Sequence, residues 1–523
     1  MPEPDARAEA FLREAEAFRL GDLETERPHP RSRDLSRQAN EDLPGALDTL
    51  RAIDLEALDR ASRRLGPGDA LAEDVRGALA AGSRVFLAGC GATGRLSVSL
   101  ECLAREGMLP EPAAKGIAGF MAGGDAALIR SIEGFEDHPD YGARQLRERG
   151  FRGDDLLIAC TEGGETPWVI GAAEAAADAG GRAPWFVYGN PDDALRAAAE
   201  RSRRVLDRPD IRKWNLAAGP MALAGSTRMQ ASTVLMLGIG LALRAGAGPE
   251  DATGDSVAAP FERFRRYFRR LDWRPLAPLV QGEAERARQG GRVLYRSAEF
   301  GLAVLTDTTE RAPTFSLAPF ENKRAETAEK RSLAGLAVPG ARDTREAWRR
   351  LLGRAPRCLE WPECRAFTGE AWLEGYRLDD RAEPGAAVFQ LDRDAEGLRM
   401  ALGECVARFP AASREARSPG EAKLFHNLAL KALLNAHSTL VMGRLGRYRN
   451  NLMLYVRASN GKLIDRAIRY VRLLFEREHG RPVDYATAYR AVFRALDGLG
   501  DDEPAVLRAL ARLKSGDGTS SAP

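Results

Sequence analysis

The chain has 523 residues, too many for one ordinary core, and at roughly 150 residues per domain the length asks for about three units. Apolar residues make up 44% and charged residues 29%, a globular mixture rather than a disordered one. The net charge is only +2, and the signs interleave, as in Glu283-Ala284-Glu285-Arg286. That balance gives no bulk field for nucleic acid or an anionic membrane. Six cysteines without a CxxC pair fit a reducing compartment. Five histidines, none grouped at ligand spacing, argue against a metal site. The start, Met1-Pro2-Glu3-Pro4-Asp5, lacks an apolar signal core, and the longest apolar run, Val234 to Leu243, is too short to span a bilayer. A soluble, cytoplasmic protein is expected, with no membrane or nucleic-acid partner.

Residues 1–80 read as a helical segment broken near Pro28 and Pro30. A strand–helix rhythm follows. Val85-Phe86-Leu87-Ala88, Leu156-Leu157-Ile158-Ala159 and Trp185-Phe186-Val187-Tyr188 are short apolar runs, each followed by a loop and a helix-prone stretch. That alternation predicts a parallel sheet covered on both faces, over residues 81–250. A weaker echo over 270–420 places Arg292-Val293-Leu294-Tyr295 against Arg84-Val85-Phe86-Leu87, with Val388-Phe389-Gln390-Leu391 as a later strand. From 421 to 514 the pattern is helical, with breaks near Gly446 to Asn451 and Gly480 to Pro482, and 515–523 reads as a disordered tail. The fold class predicted is α/β: two tandem domains with parallel sheets flanked by helices, plus a C-terminal helical region.

Two loops carry candidate chemistry. Gly89-Cys90-Gly91-Ala92-Thr93-Gly94 lies between a strand and a helix. Glycines let backbone approach an anion, and Thr93 and the amides of the helix start can donate to it. The same residues satisfy the GxGxxG order of a dinucleotide fingerprint, so both readings stand on this loop alone. Thr161-Glu162-Gly163-Gly164-Glu165-Thr166-Pro167 is a second such turn, with Pro167 suited to a helix's first turn. Two anion-ready loops at the ends of parallel strands favour a sugar phosphate between them.

Further motifs carry a resemblance. Gly219-Pro220 with Gly225-Ser226-Thr227-Arg228-Met229, Ala122-Gly123-Gly124-Asp125, Glu133-Gly134-Phe135-Glu136-Asp137 and Thr25-Glu26-Arg27-Pro28 are all present. Together with the Gly91 loop they resemble the SIS-domain group of N-acetylmuramic acid 6-phosphate etherases and glucokinase regulatory protein. Leu434-Asn435-Ala436-His437-Ser438-Thr439, Asn451-Leu452-Met453 and Ser459-Asn460-Gly461-Lys462-Leu463 are similar to the C-terminal region of the regulatory protein. The resemblance implies a phosphorylated-sugar site in the first domain and no cofactor. Its binding residues would be Gly91, Thr93, Gly94, Thr161, Gly163, Ser226, Arg228 and Lys462. It also implies an internal pseudo-dimer within a monomer. Arg296 to Gly301 stands in place of the glycine loop in the second domain, which suggests a structural copy.

The resemblance further implies that Glu136 and Glu101 are candidate catalytic carboxylates, for lyase or isomerase chemistry that needs an acid and a base beside the sugar. Two departures oppose this. Glu101 stands closer to Arg95 than in the etherase pattern by about two residues, which on a helix turns a side chain by about 200°. Met221 replaces a glutamate usual in both relatives. Two readings therefore stand: an enzyme acting on a hexose or amino-sugar phosphate, and a non-catalytic sensor that regulates a partner such as a sugar kinase.

Overall fold

The computed structural model describes residues 8–9, 11–12, 20–248, 256–325, 331–456, 461–500 and 503–515, with the side chain of Glu133 left out. Ser459, Asn460 and the tail from 516 onward lie outside the described residues. The helices ahead of the first sheet include α1 (Leu43–Ala61) and α2 (Gly66–Ala80). The Asp42 side chain caps α1 by accepting from the Gly45 amide.

The first sheet is built from β1 (Val85–Gly89), β2 (Ile117–Met121), β3 (Leu156–Thr161), β4 (Trp185–Tyr188) and β5 (Arg212–Asn215). All five are parallel, in the order β2-β1-β3-β4-β5. β1 and β3 are buried along their whole length, which is why they read as unbroken apolar runs rather than alternating ones. Helices α3 (Gly91–Leu103), α4 (Pro167–Asp178) and α5 (Gln230–Ala247) belong to this half. After β1 the chain goes to one side for β2 and then returns to the other side for β3. The crevice beyond the C-terminal ends of β1 and β3 is therefore a topological switch point, where such sheets bind ligands.

The run Val234 to Leu243 lies inside α5. That helix is long and apolar enough to cross a membrane by length and composition, yet 83% of it is buried inside the protein. It packs on α2 and α1 as a core helix.

The second sheet has the order β10-β9-β8-β6-β7, from β6 (Arg292–Arg296), β7 (Ala334–Ala337), β8 (Ala386–Arg393), β9 (Gly397–Leu402) and β10 (Cys405–Pro410). Its β7, β6 and β8 are parallel; β8, β9 and β10 then run on as an antiparallel meander. Helices α6 (Ala277–Arg288) and α7 (Gly301–Phe315) flank this sheet. The 26-residue α8 (Pro419–Arg444), capped by Ser418, is buried along most of its length. It packs on α6 and α7 of the second half and on α5 of the first. One apolar core consequently runs through both halves.

The break foreseen near Gly446 to Asn451 is a small hairpin, Tyr448–Arg449 against Leu452–Met453, turning through Asn450 at φ 57°. Three helices close the chain: α9 (Gly461–His479), α10 (Tyr485–Leu496) and α11 (Ala505–Lys514). α9 lies over the loop that enters α5, with the Tyr470 hydroxyl donating to the Ala224 carbonyl.

Candidate functional site

Three loops meet at the switch point. At the first, β1 turns through Cys90 and Gly91 into α3. Gly91 sits at φ 55°, left-handed backbone that favours glycine. Gly91 and Ala92 line the cleft at the helix start, where first-turn amides have no intrahelical acceptor. Gly94 serves packing instead, since a Cβ there would lie 2.5 Å from the Met121 Cβ and 2.9 Å from the Gly89 carbonyl oxygen. It lets α3 press against β2. Thr93 is buried, and its Oγ1 accepts from the Cys90 amide (3.2 Å) and donates to the Cys90 carbonyl (2.9 Å), closing the turn.

The second loop follows β3. The Thr161 Oγ1 accepts from the Gly164 amide (3.2 Å) and shares a hydrogen bond with the Thr166 Oγ1 (3.0 Å). Gly163 and Thr166 reach the cleft. The third loop, Gly225 to Arg228, lines it as well. The Ser226 hydroxyl is buried and has no hydrogen-bond partner among the described residues. Arg228 donates to Asp307 (2.8 Å), Ser438 (3.2 Å) and Thr439 (3.2 Å) of the second half, while its Nε has no partner among them.

Charged side chains from distant segments complete the walls. Lys462, near the start of α9, pairs with Glu136 at 3.2 Å and with Glu165 at 2.6 Å. Burial opposes its charge, but the two glutamates raise its pKa well above the ordinary lysine value. Glu165 is also bound by Arg201 at 2.7 Å. Burial would raise its pKa, but Lys462 and Arg201 hold it down at about 2. One turn along α9, Arg466 pairs with Glu26 at 2.6 Å, and Arg469 joins them at 2.8 Å. Glu310, on α7 of the second half, is paired with Arg95. Glu162 has no such cation among the described residues; the Ser232 hydroxyl donates to it at 2.6 Å. Burial first, then the charge of Glu310, push its pKa up to about 7.

Of the residues expected from sequence, Gly91, Gly163, Ser226, Arg228, Glu136 and Lys462 come together around this cleft. Thr93, Gly94 and Thr161 lie behind its wall and shape the loops. Glu101 is not brought to the cleft. Its fully buried carboxylate is bound by Arg105 (3.1 Å), Arg354 (3.1 Å) and Arg357 (2.7 Å), because its position on α3 faces the second half. Glu26, Glu162, Glu310 and Arg466 line the cleft but were not foreseen as site residues. Glu26 and Glu162 stood within quoted motifs. Arg466 follows Lys462 at helical spacing, which puts both on one face. Glu310 had no local signal.

The family model for the glucokinase regulatory protein N-terminal SIS domain matches residues 70–177. An N-acetylmuramic acid 6-phosphate etherase of Rippkaea orientalis is 33% identical over 223 residues, which are 42% of this chain and 67% of that protein. One from Crocosphaera subtropica is 35% identical over 224 residues, again 42% and 67%. The chain thus spans about two thirds of the length of these relatives, and more than half of it lies outside the match. Among solved structures, the C-terminal domain of glucosamine-fructose-6-phosphate aminotransferase from Francisella tularensis aligns at 8% identity and a TM-score of 0.38, covering 76% of this chain and 96% of that one. So loose a likeness carries no argument. The etherase match does: the chain belongs to the SIS-domain family of the N-acetylmuramic acid 6-phosphate etherases and the glucokinase regulatory protein N-terminal domain.

Proposed function

We propose that the cleft binds a phosphorylated sugar, a hexose or amino-sugar phosphate, and that Glu136 moves a proton at its carbonyl end. The observation that carries the binding step is the buried Ser226 hydroxyl without a partner among the described residues, beside the helix starts at Gly91 and Gln230. A buried hydroxyl left unpaired costs about 1–3 kcal/mol, a cost that a phosphate oxygen accepting from it would remove. The relatives' names support the ligand class: they are etherases of a sugar 6-phosphate. Isomerases and lyases of such sugars move a proton from the carbon beside the carbonyl onto a base, leaving an enolate that is reprotonated or expels a leaving group from the next carbon. Glu136 lines the cleft within a motif that carries the resemblance, which supports its choice, and Lys462 holds it from 3.2 Å. A phosphate that draws Lys462 away would free that carboxylate to accept a proton. Both halves of the site come from one chain, so a monomer suffices, and no cofactor enters the scheme.

A second reading is favoured by the position of Lys462 and Arg466 on α9. If a ligand draws these side chains from Glu136, Glu165 and Glu26, the docking of the C-terminal helices changes with occupancy. A protein partner such as a sugar kinase could read that change, with no chemistry at the sugar. One experiment separates the two. The protein is incubated in deuterium oxide with each phosphate that raises its melting temperature, and the sugar is analysed for deuterium beside the carbonyl. Exchange that disappears in Glu136→Gln supports the enzyme. Absence of exchange with every bound sugar supports the sensor, and no thermal shift with any sugar phosphate ends both.

A further inference from the structure

Among the described residues, charge around the cleft is matched group by group, with one exception. Glu26 has Arg466 and Arg469, Glu136 has Lys462, and Glu310 has Arg95. Glu162 lines the same cleft with only 7% exposure, and among the described residues no lysine, arginine or histidine lies within ion-pair reach of it. Its side-chain partner is the Ser232 hydroxyl of α5. The other groups that face it are Cys160 on β3, Glu310 on α7, Lys462 on α9 and Lys431 on α8. Both lysines are already engaged. Lys462 holds Glu136 and Glu165, and Lys431 donates to the carbonyls of Arg228 and Met229 and to the Thr233 and Asn435 side chains.

A buried carboxylate without a cation is costly when ionised. This one is made worse by the charge of Glu310 across the cleft. Either it stays protonated or something brings the missing positive charge.

We propose that the ligand brings it: the cleft selects a hexosamine phosphate with a free amine, whose ammonium pairs with Glu162 while its phosphate meets the helix start at Gly91 and the Ser226 hydroxyl. The inference rests on the sugar-phosphate reading above. An ammonium beside Glu162 forms a charge-assisted hydrogen bond and screens Glu162 from Glu310. A hydroxyl or an acetamide at the same carbon carries no charge and does neither. Because Glu162 has its pKa near 7 before binding, the arriving ammonium should also drive its proton into solution.

Calorimetry tests this with glucosamine, N-acetylglucosamine and glucose, each as the 6-phosphate and the 1-phosphate, at pH 7. In at least one phosphate series the free amine should bind about tenfold tighter than the other two forms. In buffers of different ionisation enthalpy it should also release more protons than its N-acetyl counterpart. Glu162→Gln keeps the size and the Ser232 contact, and should shrink the preference to about threefold or less. If none of the sugars binds, the sugar-phosphate reading falls and this inference with it. If all three forms of a series bind alike, only the amine preference falls. A preference that persists in Glu162→Gln, or a free amine that releases no extra protons from the wild type, would remove Glu162 as its source.

Discussion

Ser226 makes the most direct chemical demand on a ligand, since its hydroxyl is buried and unanswered among the described residues. Ser226→Ala removes that demand. The variant should melt at the same temperature as the wild type or higher, because an unpaired buried polar atom has been deleted. Sugar-phosphate affinity should fall about five- to tenfold, the value of a hydrogen bond of ~1–1.5 kcal/mol. Thermal melting and calorimetry together check it, and lowered melting with intact affinity would make Ser226 purely structural. Ser226, Arg228 and Lys462 were legible because family motifs name them. Glu162 stood in plain view beside Gly163, yet nothing local showed that it would be buried or that it would lack a cation. Those properties depend on Ser232, Glu310 and Lys462, which are far away along the chain.

At the scale of the element, the glycine loop divides into backbone freedom and packing. Gly91 needs its positive φ, but a Cβ there would meet open space. Gly94 has ordinary helical backbone, and a Cβ there would collide with Met121 and the Gly89 carbonyl. Gly94→Ala should therefore destabilise by about 1–3 kcal/mol, the cost of overpacking, by pushing α3 off β2. Denaturant unfolding measures this directly, and an unchanged midpoint would mean that α3 tolerates the shift. Sequence alone cannot divide the glycines, because the contact with Met121 crosses from one element to another. The same limit applies to Thr93 and Thr161: hydroxyls in glycine loops look like ligand donors, but here they bond to their own turns. Strands were legible where both faces are covered, as in β1 and β3. In the antiparallel meander β8 was legible, but β9 and β10 were obscure: β9 mixes buried Leu398 and Met400 with the partly exposed Arg399 and gives a short, weak alternation.

At the scale of the whole molecule, the two halves share one apolar core and are also joined by buried ion pairs. Arg228 of the first half holds Asp307 of the second. On the other side of the interface, Glu101 receives Arg354 and Arg357 from the second half and Arg105 from its own helix. Arg354 also reaches Asp125, which accepts from the Arg357 amide too. The family resemblance cast Glu101 as an acid or base, but its place on α3 makes it part of the seam between halves. Glu101→Gln keeps the volume and removes the charge, leaving three guanidinium groups around a neutral amide. Arg354 keeps Asp125, whereas Arg357 loses its carboxylate. Breaking a buried pair costs about 3–5 kcal/mol, and the polar amide should recover part of that. The expected result is a clearly lower melting temperature, still in one transition because the shared core binds the halves into one cooperative unit. Sugar-phosphate affinity, and any deuterium exchange at the sugar, should follow the wild type wherever the variant remains folded. Scanning calorimetry and the exchange assay read these outcomes separately. A variant that melts normally but has lost exchange would show that Glu101 reaches the reacting carbon, and would overturn its assignment to the seam.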